Sequence, residues 1–165
     1  MNLFTGSSSD EFFGGEVPPQ VRRLLDEARS APPRQMESLL WTAQICSPEC
    51  LPVYYLLYKF HARLRQYPQA EQAALKGIAT AGAQAGLAKN WREVVVSDAD
   101  FAATGPARFW LFSLKALAFI YLRSNRHEAS RELIAKLAEL DPGHGLGGEV
   151  IAALLEGSNT TRPPT

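Results

Sequence analysis

The side chains best suited to chemistry are two cysteines, Cys46 and Cys50, which flank the short run Ser-Pro-Glu. With His61 as a third ligand they could hold a metal, but a structural zinc site needs four ligands and an iron–sulfur cluster about four thiolates. We therefore predict no metal site and no cofactor, and interpret both residues as buried or half-buried thiols. Two alternatives stay open: a metal site shared across a homodimer, and a reversible disulfide across the turn.

No other group of residues suggests catalysis. The histidines His61, His127 and His144 are scattered, and no serine, cysteine or acid stands in a motif that would be activated by one of them. The glycine-rich run at 142–148 lacks the spacing of a phosphate-binding loop and follows a predicted helix. We expect a protein that is not an enzyme, with His61 packed in the core.

The composition excludes two classes of partner. The 165 residues include 17 Lys and Arg and 17 Asp and Glu, so no net positive charge attracts nucleic acid or an anionic membrane. The most apolar stretch, residues 109–122, is about two-thirds of the roughly 20 residues that a membrane-spanning helix needs. Because the first residues do not resemble a secretory signal, we expect a cytoplasmic protein.

The spacing of apolar residues predicts an all-α fold. They recur every three or four positions, and the only run typical of a strand is Val94-Val95-Val96. We predict one helical domain over residues 16–156, between disordered tails at 1–15 and 157–165. Its six to seven helices are predicted at residues 18–31, 34–46, 52–64, 68–86, 108–124, 126–140 and 146–155.

Residues 90–106 are predicted to form a long loop that interrupts the helices. One short helix is expected within it at 98–103, where Asp98 and Asp100 suit the capping of a helix start. A loop of this length inside a small domain is usually functional or contains an unrecognised element.

Two of the predicted helix pairs repeat a pattern. In the first, R-Q-Y-P-Q-A places Ala70 nine residues after His61; in the second, Ala129 lies eight residues after Tyr121 and an L-D-P ending follows. Both resemble the tetratricopeptide (TPR) hairpin, in which a small residue lets two helices cross closely. The resemblance covers about residues 50–142 and implies a short TPR-like stack. Because tandem TPR units repeat about every 34 residues, the wider spacing here implies an irregular insertion.

A narrower resemblance rests on two runs. These are C-S-P-E-C-L-P-V-Y-Y-L-L-Y-K-F-H-A-R-L-R-Q-Y-P-Q-A-E and A-G-L-A-K-N-W-R-E-V-V. They resemble the small TPR proteins that accompany nitrogen-fixation gene clusters, of the nitrogenase-associated factor T kind. The resemblance implies a non-catalytic accessory protein that associates with the molybdenum–iron protein of nitrogenase.

The remaining candidate site is a helical surface for a protein partner. Aromatic residues interleaved with long cations suit an acidic, partly apolar segment, although the same aromatic residues would also suit ordinary packing between helices. The predicted partner-binding residues are Tyr55, Lys59 and Arg63 in the first pair and Phe112, Lys115 and Phe119 in the second.

Four further aromatic residues are candidate anchors for a partner. Phe12 and Phe13 lie in the N-terminal tail, where they could dock on this protein or on another, and Trp91 and Phe101 lie in the long loop.

Three hypotheses about function follow. The first is a protein-binding adaptor that docks on a nitrogenase component. The second is a secretion-type TPR chaperone for an exported protein. The third is a thiol redox or metal-delivery protein that uses the C-S-P-E-C pair.

Overall fold

The fold is known from a computed structural model, which describes residues 16–143 together with Ala153 and Glu156. Within this part the chain forms six α-helices and no strand, so the prediction of an all-α fold is confirmed. The tails at 1–15 and 157–165, and almost all of the predicted helix at 146–155, lie outside the described residues. The helices are α1 (Pro19–Ser30), α2 (Pro33–Cys46), α3 (Leu51–Arg63), α4 (Tyr67–Ala85), α5 (Pro106–Arg123) and α6 (His127–Leu140).

Proline sets the start of most of these helices. Each helix from α1 to α5 has a proline at its first or second position and no side-chain hydrogen bond at its cap. A proline costs nothing there, because its missing N–H would have no partner in the first turn and its fixed φ suits a helix. This is why the sequence predicted these starts to within about two residues.

The helices pack as consecutive neighbours. Each one contacts the next along the chain, with the most extensive contacts between α4 and its two neighbours, and α3 also touches α5. The arrangement is three antiparallel hairpins, α1–α2, α3–α4 and α5–α6, laid side by side. Their shared core contains the large buried side chains Leu57, Phe109, Trp110, Leu117 and Leu133.

The α3–α4 and α5–α6 hairpins have the same turn. Arg65 and Asn125, sixty residues apart, both adopt a positive φ, at 59° and 61°. One residue later, the amides of Gln66 and Arg126 each donate to the carbonyl five residues back, both at 2.9 Å. The two hairpins are therefore copies of one backbone motif, offset by sixty positions.

The sixty-residue offset shows that Ala129, the predicted crossing residue of the second hairpin, is wrong. Ala70 is fully buried, as predicted, but Ala129 is only half-buried and its neighbour Ser130 is the fully buried residue. Ser130 lies nine residues after Tyr121, the same spacing as Ala70 after His61. Its hydroxyl donates to the carbonyl of Ala118 at 2.7 Å, so a polar side chain fits the crossing. The prediction overlooked serine because it searched for alanine.

The segment between α4 and α5 is held firmly against the helices. Helix α4 is capped by Gly86, whose φ of 70° is readily available to glycine. Val94 is buried, and its carbonyl accepts a 2.9 Å hydrogen bond from Nζ of Lys136 on α6. Arg92 forms a two-point ion pair with Glu132, also on α6.

The short helix predicted at 98–103 is absent, and 3₁₀ turns at Trp91–Glu93 and Val96–Asp98 stand in this segment instead. The prediction was wrong because the two acids close separate turns. Asp98 accepts from the amide of Val95, whereas Asp100 accepts from the amides of Ala102 and Ala103.

Candidate functional site

The predicted partner-binding residues lie on α3 and α5, two helices that contact each other. We call them together the α3–α5 face, which consists of Tyr55, Lys59, Arg63, Phe112, Lys115 and Phe119. The rings of Tyr55 and Phe112 join the two helices, with 5.6 Å between ring centroids. The structure therefore brings one aromatic residue of each predicted stripe into contact.

Lys59 is fixed within this surface by the tyrosine one turn earlier. Its Nζ donates to the hydroxyl of Tyr55 at 2.6 Å and lies 4.5 Å from the centroid of the same ring. Partial burial lowers the pKa of Lys59 to about 8, because the charged form has lost part of its water. The hydrogen bond and the ring together fix the orientation of this amine.

Lys115 repeats the arrangement on α5. Its Nζ lies 5.5 Å from the centroid of the Phe112 ring, and burial again lowers the pKa of the amine. Phe119, one turn further along, leaves 38% of its surface exposed, and Arg63 on α3 is exposed. The face thus offers two half-buried cations, one exposed cation and an exposed ring.

A buried pair beneath the surface fixes the distance between the two helices. The hydroxyls of Tyr58 on α3 and Ser113 on α5 lie 3.4 Å apart in the core. Burial raises the pKa of the Tyr58 phenol far above its usual value, so it stays protonated. Sequence reasoning missed this pair, since a tyrosine and a serine 55 positions apart carry no local signal.

The charged side chains of α3 and α5 are all positive. Helices α3 and α5 together contain five Lys and Arg residues and no Asp or Glu, although the whole chain has 17 of each. Helices α2, α4 and α6 carry five acids and four Lys and Arg. This difference is readable from the sequence once the helices are paired, and sequence reasoning on the net charge alone missed it. Three of these five cations, Lys59, Arg63 and Lys115, belong to the α3–α5 face.

Two predicted contacts occupy deeper positions than expected. Tyr55 is almost completely buried, so it orients Lys59 and contacts Phe112 rather than projecting outward. Phe101 is buried with its ring 5.8 Å from that of Trp110, which fastens the long segment to α5. Its apolar ring gains more from the core than from solvent, so this candidate anchor is used for packing within the described chain.

The structure describes one of the other three candidate anchors, Trp91. Trp91 is half-buried against the core, with the guanidinium of Arg92 at 4.4 Å from its ring centroid. Phe12 and Phe13 lie outside the described residues.

His61 is a core residue, as predicted. It is fully buried, and its Nδ1 lies 2.8 Å from Oε1 of Gln66 in the following turn. An amide oxygen can only accept, so Nδ1 carries the hydrogen in this pair. The imidazole thereby ties α3 to the hairpin turn.

The cysteine pair lies at the turn between α2 and α3. Cys50 is buried beside the first residue of α3, as predicted. Cys46 is exposed, so the prediction of a buried or half-buried thiol is wrong for this residue, which is the last one of α2. Over the described residues, no three His, Cys, Asp or Glu side chains are grouped so as to hold a metal ion.

An open cavity of about 980 Å³ lies where three helices begin. Its lining includes Glu16, Val17 and Pro18 before α1, Cys50 to Pro52 at the start of α3, and Gly105 and Pro106 at the start of α5. The starts of α3 and α5 therefore lie together, and these two helices run in the same direction.

Comparison with known proteins gives one relative and no fold match. The chain is 28% identical over 158 residues to a protein of Azotobacter chroococcum mcd 1 named as an uncharacterized 19.8 kDa protein in the 5′ region of nifW. The match covers 94% of this chain and 89% of that protein. No family model matches the chain, and no solved structure matches it significantly. The location of that relative in a nif gene region agrees with the nitrogen-fixation part of the resemblance described above.

In the part of the chain that the structure describes, no helix is both long enough and apolar enough to cross a membrane.

Proposed function

We propose that this chain is a non-catalytic, TPR-like adaptor that acts in nitrogen fixation by binding a protein partner on the α3–α5 face. The partner that the resemblance favours is the molybdenum–iron protein of nitrogenase. The observation that carries the proposal is a pair of acid-free helices whose half-buried lysines are each held against an aromatic ring. The relative in a nif gene region supports the biological setting.

The chemistry of the face defines the partner segment. Lys59 and Lys115 have already lost part of their hydration, so a carboxylate that reaches them meets a reduced desolvation cost. The exposed ring of Phe119 and the half-buried ring of Phe112 add an apolar contact beside these charges. The complementary ligand is a segment with acidic residues next to an aromatic or large aliphatic residue.

The TPR-like scaffold supports a binding role for this face. Helices α3 and α5 are the first helices of adjacent hairpins and contact each other, with the fully buried Ala70 and Ser130 at the helix crossings. Such stacks expose a continuous surface that suits extended partner segments. The secretion-chaperone and thiol-redox hypotheses gain no comparable observation from the described residues.

Charge reversal tests the proposal directly. The variant Lys59→Glu with Lys115→Glu should weaken binding to purified molybdenum–iron protein at least about 100-fold, because attraction becomes repulsion at two sites. The matched control is Arg34→Glu with Lys89→Glu, which changes the net charge equally at exposed positions outside this face. Calorimetry measures both affinities, and circular dichroism checks that the helices remain folded.

The result that would refute the proposal is a face variant that binds like the control. Capture of the parent chain's partners from nitrogen-fixing and ammonium-grown cells, followed by mass spectrometry, then shows whether another protein is bound. A partner that belongs to an export system would favour the chaperone hypothesis, and stoichiometric metal in the purified chain would favour the metal-delivery hypothesis.

Binding should also depend on pH in a defined direction. The pKa of Lys59 is about 8 in the unbound protein, and a partner carboxylate favours the charged amine and so raises the pKa in the complex. Affinity should therefore be highest below pH 8. It should decrease as pH rises from 8 towards the higher pKa that Lys59 has in the complex. Calorimetry at pH 7 and pH 9 should show this loss in the parent, and Lys59→Met should reduce it. An affinity that rises with pH would contradict the role of Lys59.

A further inference from the structure

The turns of the α3–α4 and α5–α6 hairpins lie at the same end of the molecule, because α3 and α5 run in the same direction. Residues 62–67 and 122–127 contain four arginines and no acid, and all four arginines are exposed. One of them, Arg63, belongs to the α3–α5 face. We call the other three the arginine end, which consists of Arg65, Arg123 and Arg126.

Two contacts hold the arginines of the second turn against the helix that follows the first turn. The Nε of Arg123 donates to the hydroxyl of Tyr67, the first residue of α4, at 3.3 Å. The guanidinium of Arg126 pairs with Glu71, one turn further along α4, at 2.7 Å. Arg65 lies only two residues before Tyr67, so these contacts bring the cations of both turns to one part of the surface.

Tyrosine side chains orient two of the three guanidinium groups. Arg126 lies with its guanidinium carbon 3.9 Å from the centroid of the Tyr121 ring, and Tyr67 holds Arg123. An oriented guanidinium loses less conformational entropy when it binds an anion. These contacts use only some of the five N–H donors of each group, and the side chain of Arg126 is 47% exposed. Both arginines can therefore still bind a carboxylate.

The acids beside these turns are already paired. Glu71 binds Arg126, and Glu128 in the first turn of α6 binds Arg131. The side chain of Arg65 forms no hydrogen bond or ion pair with another described residue. Three arginines and one glutamate leave this end positive, in a chain whose net charge is zero.

A short acidic protein segment fits this surface better than nucleic acid does. The parallel N–H groups of a guanidinium match the two oxygens of a carboxylate. Nucleic acid is bound by extended positive surfaces that contact many phosphates, whereas the arginine end is a small patch on a neutral chain. An extended peptide spans about 3.3 Å per residue, so four consecutive acids cover roughly the 10–12 Å diameter of one helix.

We propose that the arginine end is a second docking surface, which binds a run of consecutive Asp or Glu residues in a protein partner. Arg65 and Arg123 bind the carboxylates directly, and Arg126 adds positive charge beside them. Arg123 lies eight residues beyond Lys115, or about 12 Å along α5 at roughly 1.5 Å per residue. The arginine end is therefore separate from the lysines of the α3–α5 face, and the inference does not rest on the proposed function.

The test measures how the full chain binds a fluorescein-labelled peptide of eight glutamates, by fluorescence anisotropy at low salt. The variant Arg65→Glu with Arg123→Glu should bind at least about tenfold more weakly than the parent, because two direct contacts become repulsive. The matched control is Arg23→Glu with Arg34→Glu, which makes the same change to two exposed arginines on α1 and α2. The control should lose less than about twofold, since charges far from the peptide are screened. Circular dichroism checks that both variants keep their helices.

A further variant and a further probe test the location and the class of ligand. Lys59→Glu with Lys115→Glu should bind the glutamate peptide nearly as well as the parent does, because these lysines lie outside the arginine end. A single-stranded octathymidylate should bind the parent more weakly than the peptide does.

Four results would overturn the inference. Failure of the parent to bind the peptide would show that this end does not accept acidic segments. Equal losses in the arginine variant and its control would show an effect of net charge alone. A larger loss in the lysine variant than in the arginine variant would place the peptide on the α3–α5 face. Tighter binding of octathymidylate than of the peptide would indicate a nucleic-acid ligand instead.

Discussion

The α3–α4 and α5–α6 hairpins share one turn but pack their second helices with different side chains. The hydrogen bonds and the positive φ of the two turns match, sixty residues apart. The buried residues of α4 are mainly alanine and glycine, whereas those of α6 are three leucines and one serine. Ala73 corresponds to Leu133 in this alignment, and Gly77 corresponds to Leu137. The backbone motif is therefore conserved within the chain while the packing size is not.

The neighbours of each helix explain the difference. Helix α4 lies between α3 and α5 and has extensive contacts with both, whereas the main described contacts of α6 are with α5. At Gly77, an added Cβ would lie 3.0 Å from the Cβ of Tyr54 on α3 and 3.4 Å from the ring of Phe109 on α5. A helix enclosed on two sides needs small residues, because close approach leaves no volume for larger ones.

Exchanging glycine and leucine between positions 77 and 137 should have the largest effect on stability. Leu137→Gly removes a buried side chain and adds backbone freedom, and we expect it to lower the free energy of unfolding by about 3–5 kcal/mol. Gly77→Leu forces a side chain between Tyr54 and Phe109 and should cost about 3 kcal/mol. Urea denaturation measures both, with Leu75→Ala on the exposed side of α4 as the control.

The comparison would fail if Gly77→Leu had no more effect than the Leu75→Ala control. Helix α4 would then be less enclosed than its contacts with Tyr54 and Phe109 indicate.

Much of this architecture was predictable, for local reasons. Proline at helix starts and the three-to-four residue spacing of apolar residues act within one element, and the predicted bounds are close to the observed ones. The register of the second hairpin was not predicted correctly, because it depends on a tertiary contact. The nine-residue spacing points to Ser130, but only its hydrogen bond to the carbonyl of Ala118 explains how a polar side chain is buried there.

Substitutions at Ala70 and Ala129, the two small residues predicted at helix crossings, should have an intermediate effect on stability. Ala70→Leu should lower the free energy of unfolding by about 1–3 kcal/mol, because this side chain is fully buried between helices. Ala129→Leu should cost less than about 1 kcal/mol, because Ala129 is half-buried and leucine is a good helix former. Thermal and urea unfolding of the two variants measure the difference. Equal losses would restore Ala129 as the crossing residue and contradict the common register.

The residue types of the candidate site were predictable from the sequence, but the burial of each side chain was not. The stripes of aromatic and cationic residues on α3 and α5 are visible as helical periodicity. The sixty-residue alignment shows that their order is exchanged, since Tyr55 corresponds to Lys115 and Lys59 corresponds to Phe119. Which ring is buried depends on the contact between the helices, and this contact places Tyr55 beneath the surface. Periodicity assigns a residue to a side of a helix, and only packing assigns its exposure.

The smallest expected effect concerns the shared turn. Arg65 and Asn125 both adopt the left-handed conformation, which costs most L-residues about 1–2 kcal/mol but which asparagine tolerates better. Glycine removes this strain and adds about 0.5–1 kcal/mol of lost chain entropy on folding. Arg65→Gly should therefore raise the free energy of unfolding by about 0.5 kcal/mol, whereas Asn125→Gly should leave it nearly unchanged. Both positions are exposed, so no packing contributes to the difference. Urea unfolding in triplicate resolves a gap of this size, and a larger gain at Asn125 than at Arg65 would show that the two turns carry different strain despite their equal angles.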